Sequence, residues 1–193
     1  MDKEILLRFW HYPVMTLGPG RRLGIWFQGC SIHCAGCIAP ENQAFDKNFA
    51  VPLEKFFQEI KASLSDAEGV TISGGEPFDQ APALFELLKF FKAQGQEDIL
   101  IYSGYLNRKI LSEWPEIKNF IAALVDGPFI AGAVTESRWK GSENQELTIF
   151  NKSLVQKYSS WINDSSPRKL QLVKKFNGHY LIGIPEQKGV NLN

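Results

Sequence analysis

Cys30, Cys34 and Cys37 are the three cysteines of a 193-residue chain, and they fall within eight positions at the spacing C-x3-C-x2-C. Thiolates this close can ligate three irons of a 4Fe-4S cubane and leave the fourth iron open to a non-protein ligand. An open coordination position is what a catalytic metal site keeps and a structural one closes. Two other chemistries draw on the same residues. His33 could complete a Cys3His zinc site, although its place beside Cys34 makes tetrahedral closure by both awkward. Cys34-Ala35-Gly36-Cys37 could serve as a redox dithiol, which leaves Cys30 without a role.

A second stretch, Thr71-Ile72-Ser73-Gly74-Gly75-Glu76-Pro77, narrows the choice. Together with the cysteine loop it resembles the radical S-adenosylmethionine (AdoMet) enzymes. Further segments carry the likeness closer: Leu17-Gly18-Pro19-Gly20-Arg21, Trp26-Phe27-Gln28-Gly29-Cys30, Val125-Asp126-Gly127-Pro128-Phe129 and Trp139-Lys140-Gly141-Ser142-Glu143-Asn144-Gln145. These are similar to the short branch of the glycyl-radical activases, the anaerobic ribonucleotide reductase activators. The likeness runs over about residues 12–148 and returns near Gly183-Ile184-Pro185.

The resemblance implies roles for particular residues. Cys30, Cys34 and Cys37 would hold the cluster, and its free iron would bind the amino and carboxylate groups of AdoMet. Gly74 and Gly75 would let the backbone approach the methionyl end. Glu76 would accept a charge-assisted hydrogen bond from the ammonium; the plainer role for Gly-Gly-Glu is a strand-to-helix turn with an acid at the helix start. Many radical AdoMet enzymes carry an aromatic residue before the third cysteine, whereas this chain has Gly36, so adenine contact would fall to the backbone of Gly36 and Ile38. Ser103 is a candidate contact to ribose or carboxylate, or a turn hydroxyl bonded to local backbone. Asp126, Arg138 and Lys140 match family segments and could equally be members of surface ion pairs. His33 reads as a loop residue.

The implied reaction is reductive cleavage of AdoMet, with a hydrogen atom then taken from a substrate. With three cysteines there is no second cluster, so the electron would come from an external donor such as flavodoxin or ferredoxin. The partner would be a glycyl-radical enzyme offering a loop to a laterally open site. Two other functions use the same motifs. One is a radical AdoMet enzyme acting on a small molecule, similar to the short 7-carboxy-7-deazaguanine synthases; against it, Cys37 is followed by Ile38-Ala39-Pro40-Glu41-Asn42. The other is a non-catalytic iron-sulfur or zinc module, which gives Gly74, Gly75 and Glu76 no purpose.

Composition excludes several classes. Lys+Arg and Asp+Glu number 21 each, so charge argues for neither a nucleic-acid nor a membrane-surface partner. No apolar run reaches the roughly 20 residues of a membrane span. Met1-Asp2-Lys3-Glu4 carries two acids and no apolar core, unlike a secretory signal. Three clustered thiols fit a reducing compartment, so the expected location is the cytoplasm.

The rest of the chain must position the two motifs. Residues 1–20 predict an opening strand or arm, and residues 23–28 a strand that delivers the cysteine loop from its end. Residues 40–49 are polar and irregular. Apolar residues at 53, 56, 57, 60 and 64 predict a helix over 52–64, with Pro52 in its first turn. A strand at 70–73, a helix over 80–93, a strand at 99–102, a helix over 108–120 and a strand at 122–125 follow in alternation. The expected fold is α/β: a partial, TIM-like barrel of largely parallel strands in one domain spanning 1–193. Its core would cover about 12–150, with a polar surface insertion at 151–168 and a C-terminal β-hairpin at 170–185 around Asn177-Gly178.

Overall fold

A computed structural model of the chain describes residues 3–175 and 178–187. Its centre is a seven-stranded sheet with the order β3-β1-β2-β4-β5-β6-β7. The strands are β1 (Glu4–Val14), β2 (Arg22–Phe27), β3 (Ala50–Pro52), β4 (Gly69–Gly74), β5 (Ile99–Tyr102), β6 (Ala123–Asp126) and β7 (Glu146–Ile149). The helices are α1 (Leu53–Asp66), α2 (Ala81–Ala93), α3 (Asn107–Glu113) and α4 (Val155–Ile162), and a separate two-stranded sheet is formed by β8 (Gln171–Lys175) and β9 (Gly178–Ile182).

Strands β2, β4, β5 and β6 are mutually parallel, joined by crossovers through α1, α2 and α3 as the alternation predicts. The flanks differ from a barrel of parallel strands. Strand β1 runs antiparallel between β2 and β3, and β7 runs antiparallel to β6. The described strands form an open sheet with β3 and β7 as its edges, and no barrel closes.

Helix α1 buries Leu53, Phe56, Ile60 and Leu64, a stripe at helical spacing that faces the sheet. Pro52 ends β3 and caps α1 rather than lying inside its first turn. Helix α2 buries Leu84, Leu87, Leu88 and Phe91 in the same apolar cluster as Ile25, Phe27 and Ile72. Each such side chain contributes roughly 1.5–3 kcal/mol by leaving water. The helix expected over 108–120 is two pieces. Pro115 has no N–H and holds Trp114 at φ −136, ψ 66, so α3 stops and a 3-10 turn (Pro115–Asn119) carries on.

The tract 151–168 corrects the expectation of a polar surface insertion. It contains α4, whose Tyr158 is fully buried and whose Trp161 is buried against Leu100, Ala122, Ala123 and Val125. The apolar positions 154, 158, 161 and 162 make one face of a short helix, and intervening Ser, Gln and Lys hide that stripe. Arg22 reinforces the docking. Its guanidinium is wholly buried and donates to Thr71 Oγ1 (2.6 Å), Val70 O (2.6 Å), Pro19 O (3.0 Å) and Asp98 Oδ1 (3.1 Å). Tyr158 donates to the same Asp98 oxygen at 2.6 Å and Lys157 to the other at 2.7 Å. Burial pushes the Asp98 carboxyl up, but Arg22 with Lys157 and Tyr158 outweighs it and holds the group below the usual range.

The predicted C-terminal hairpin is present as β8 and β9, paired from Gln171↔Ile182 to Lys175↔Gly178. Of its expected turn, Asn177 lies outside the described residues, as do Met1 and Asp2 of the N-terminal tetrapeptide. Val173, Ile182 and Ile184 pack with Val14, Leu17 and Trp26, so the hairpin covers a patch of the sheet face. No helix among the described residues is long and apolar enough to cross a membrane.

Candidate metal centre

Parallel register brings the motifs together. Phe27 pairs with Gly74, Ile72 with Ile101, and Tyr102 with Val125, so the carboxyl ends of β2, β4, β5 and β6 lie along one edge. From those ends leave the cysteine loop, Gly75-Glu76, Ser103-Gly104 and Gly127. That edge is where open α/β sheets gather ligands. A cavity of about 420 Å³ opens there, lined by Cys30, Cys34 and Cys37 and by Gly74, Gly75, Glu76, Ser103 and Ile38. Its size suits a small-molecule site.

The cysteine loop is held at its start and turned sharply after it. Gly29 N–H donates to Asn42 O (2.8 Å) and Cys30 N–H to Gln43 O (2.9 Å), while Cys37 N–H donates back to Cys34 O (3.2 Å). Gly29, His33 and Gly36 all have positive φ, at 102°, 49° and 71°. All three cysteines are free thiols at intermediate exposure. Burial pushes the Cys30 thiol up. Among the described residues, no three His, Cys, Asp or Glu side chains are set to hold a single metal ion. In a cubane each thiolate ligates a different iron, so its sulfurs line a common cavity without meeting at one point. The His33 ring has Gln43 Oε1 at 3.4 Å as a neighbour. The donor types and their shared cavity fit an iron-sulfur cluster.

Glu76 is 1% exposed and is the most strongly perturbed carboxyl at the site. Its Oε1 accepts from Ser103 Oγ (2.8 Å) and Phe78 N–H (3.0 Å), and its Oε2 from Gly104 N–H (2.8 Å). Burial drives its pKa up to about 7, against the pull of those three donors. It takes the plainer of its expected roles, capping the 3-10 turn that starts at Pro77, and it also lines the cavity. Ser103 is a turn hydroxyl on the cavity wall: it accepts from Tyr105 N–H at 3.1 Å while donating to Glu76.

The glycine pair has a reason internal to the fold. Gly74 has φ 106°, and a Cβ there would lie 2.5 Å from Phe27 O; one on Gly75 would overlap Gly29 O. Gly75 N–H donates to Phe27 O and Glu76 N–H to Gly29 O, each at 2.8 Å. These bonds extend the β2–β4 ladder into the loop, so the second motif is bolted to the residue before Cys30. Gly36 is exposed and faces Ala131 and Phe129, and Ile38 is 53% exposed at the cavity wall.

The outer segments act as braces. Asp126 is buried and accepts from Asn107 N–H (2.8 Å) at the start of α3, and burial raises its carboxyl. Lys140 is buried and donates to Glu143 O, while Asn144 Nδ2 donates to Pro128 O and Gln145 Nε2 to Gly127 O. Lys-Gly-Ser-Glu-Asn-Gln thus locks the Asp-Gly-Pro-Phe loop, placing Phe129 and Gln145 on the cavity wall. Arg138 pairs with Asp164 at 2.6 Å and lies away from the cavity. Arg138 and Lys140 are thus ion-pair members, with Asp164 and Glu143, whereas Asp126 bonds to backbone.

Several lining residues carry no spacing signal. His179, Tyr180 and Leu181 of β9 form part of the wall, and Tyr180 stacks on Phe9 (4.3 Å), which stacks on Trp26 (4.2 Å). Asp79, three residues after Glu76, grips Ser31 and Tyr105.

Comparison with known proteins agrees with this geometry. Residues 16–148 match the family described as a 4Fe-4S single cluster domain. An anaerobic ribonucleoside-triphosphate reductase-activating protein of Salmonella typhi is 30% identical over 145 residues, covering 70% of this chain and 93% of the relative. Proteins of the same description from Escherichia coli (strain K12) and Enterobacteria phage T4 are each 29% identical, covering 93% and 85% of those relatives. The matched span carries both motifs and ends before α4, and the chain belongs to the 4Fe-4S single cluster domain family, in the branch of the anaerobic ribonucleoside-triphosphate reductase-activating proteins.

Proposed function

We propose that the chain is a radical AdoMet enzyme that generates a glycyl radical on a partner such as anaerobic ribonucleotide reductase. The observation that carries this reading is one cavity lined by Cys30, Cys34, Cys37, Gly74, Gly75 and Glu76. Relatives about 30% identical are named for activating that reductase. When bound, the cluster and AdoMet supply one-electron cleavage of a carbon-sulfur bond, giving methionine and a 5′-deoxyadenosyl radical.

The protein's part is to hold and orient. Cys30, Cys34 and Cys37 bind three irons as thiolates and leave one iron for AdoMet. Glu76 carries two carboxylate oxygens with four acceptor sites, three of them filled by Ser103, Gly104 and Phe78. The remaining site takes the ammonium of AdoMet. Ile38, on the cavity wall, takes the adenine side, with the exposed backbone of Gly36 two residues before it, and Ser103 acts on the ligand through Glu76. Hairpin residues Tyr180 and Leu181 shield one flank, so the partner's glycine-bearing loop enters from another. The electron arrives from an external flavodoxin or ferredoxin, because the three cysteines are all committed to one cluster. Three clustered thiols support a reducing, cytoplasmic location. One domain spans 1–193, with residues of the sheet and of the hairpin both lining the cavity.

The test mixes dithionite-reduced protein, AdoMet and a co-encoded glycyl-radical enzyme, and looks for a glycine-centred doublet by electron paramagnetic resonance. A doublet is expected. A small metabolite that drives stoichiometric 5′-deoxyadenosine formation, with no doublet on any partner, would instead assign the same chemistry to a small substrate.

A further inference from the structure

Asp79 joins the cysteine loop to two strand ends. Its Oδ2 accepts the Ser31 N–H at 2.6 Å and its Oδ1 the Ser31 hydroxyl at 3.0 Å. Tyr105 donates its phenol to that same Oδ1 at 2.6 Å, and its oxygen lies 2.9 Å from Ser31 Oγ. The triangle spans three segments: the cysteine loop, the 3-10 turn that follows Glu76, and the loop after β5. Lys109 sits 3.4 Å from the centroid of the Tyr105 ring and holds it from outside.

Ser31 is the residue after Cys30, so Asp79 fixes the peptide on one side of that cysteine. On the other side Gly29 and Cys30 N–H groups are fixed to Asn42 O and Gln43 O. Cys30 is thereby clamped front and back, whereas backbone bonds from Cys34 and Cys37 run within their own loop. Bonds to a charged acceptor are shorter and stronger than neutral ones, which suits a clamp at a half-exposed position.

We propose that Asp79 is a positioning residue for the metal centre, acting through the Ser31 peptide to hold Cys30 in place to ligate iron. The proposal rests on the cluster reading above, and one arm of its test is independent of the cluster. In the iron-free full chain, amide hydrogen exchange at Ser31 is expected to accelerate about ten- to a hundredfold in Asp79→Ala, as for loss of a hydrogen bond to a charged group. Asn at this position offers an oxygen to the N–H and an amide to the two hydroxyls. Asp79→Asn should therefore return exchange close to wild type. In anaerobically reconstituted protein, loss of iron to a chelator should be about tenfold faster in Asp79→Ala and be rescued by Asp79→Asn. Tyr105→Phe, which leaves the Ser31 bonds, should fall between and stands in if Asp79→Ala does not fold. Faster exchange at Ser31 with unchanged iron loss would overturn the proposal, as would unchanged exchange. A wild-type chain that binds no iron and sulfide would sink the cluster reading and this proposal together, while the exchange arm still reports whether the clamp exists.

Discussion

Gly75 and Gly29 meet backbone to backbone: a Cβ on Gly75 would overlap the Gly29 carbonyl oxygen, the same atom that accepts the Glu76 N–H at 2.8 Å. The turn that presents Glu76 and the turn that presents Cys30 are therefore one rigid joint. A methyl group at 75 has nowhere to go, because the obstacle is main chain. Gly75→Ala should destabilise the protein by about 1–3 kcal/mol or more. Urea unfolding measures this, and an unchanged midpoint would show that the joint yields.

Anaerobic reconstitution should give about four irons and four sulfides per chain. Cys30→Ser, Cys34→Ser and Cys37→Ser should each reduce that content sharply, and His33→Ala should leave it intact. One tightly held zinc without sulfide would restore the zinc alternative.

Glu76 should make both stability and AdoMet binding depend on pH, in opposite directions. Its folded pKa of about 7 lies above the ordinary 4.5, so the folded state holds this proton more tightly than the unfolded chain. Its contribution is then fully present below about pH 4.5, falls as pH rises to about 7, and is flat above that, a loss of roughly 3 kcal/mol. A bound ammonium needs the ionised form, so affinity should rise about tenfold per pH unit up to about 7 and then level off. Glu76→Gln should remove both slopes and weaken binding about ten- to a hundredfold. Calorimetry and thermal melts at pH 5 to 8, read as wild type minus variant, check this. Parallel pH curves for the two proteins would remove Glu76 from both effects.

The Arg22 network predicts a graded pair of losses at the opposite end of the strands. Asp98→Ala strands a buried guanidinium and should cost about 3–5 kcal/mol. Tyr158→Phe removes one hydroxyl bond and should cost about 1 kcal/mol. Denaturant unfolding measures both. Equal effects would mean that α4 docks by apolar contact alone.

The chemistry was legible in the sequence because it depends on residue type and short spacing. Three thiols within eight residues point to an iron-sulfur cluster without reference to the fold, and the 4Fe-4S family match agrees. The alternation of apolar strands and striped helices also gave the parallel core, since β2, β4, β5 and β6 read as buried runs. Other features were decided by tertiary contacts between distant positions. The expected polar insertion holds a helix because Tyr158 finds Asp98 sixty residues away. Gly74 and Gly75 are glycines because register places them against Phe27 and Gly29, a fact that no local pattern contains. Strand β7 shows only four residues of weak alternation, and its partner β6 makes it a strand. Asp79 looks like any acid at a helix start until folding carries Ser31 and Tyr105 to it. Spacing along the chain sets which atoms can do chemistry; burial and long-range hydrogen bonds set which residues hold them still.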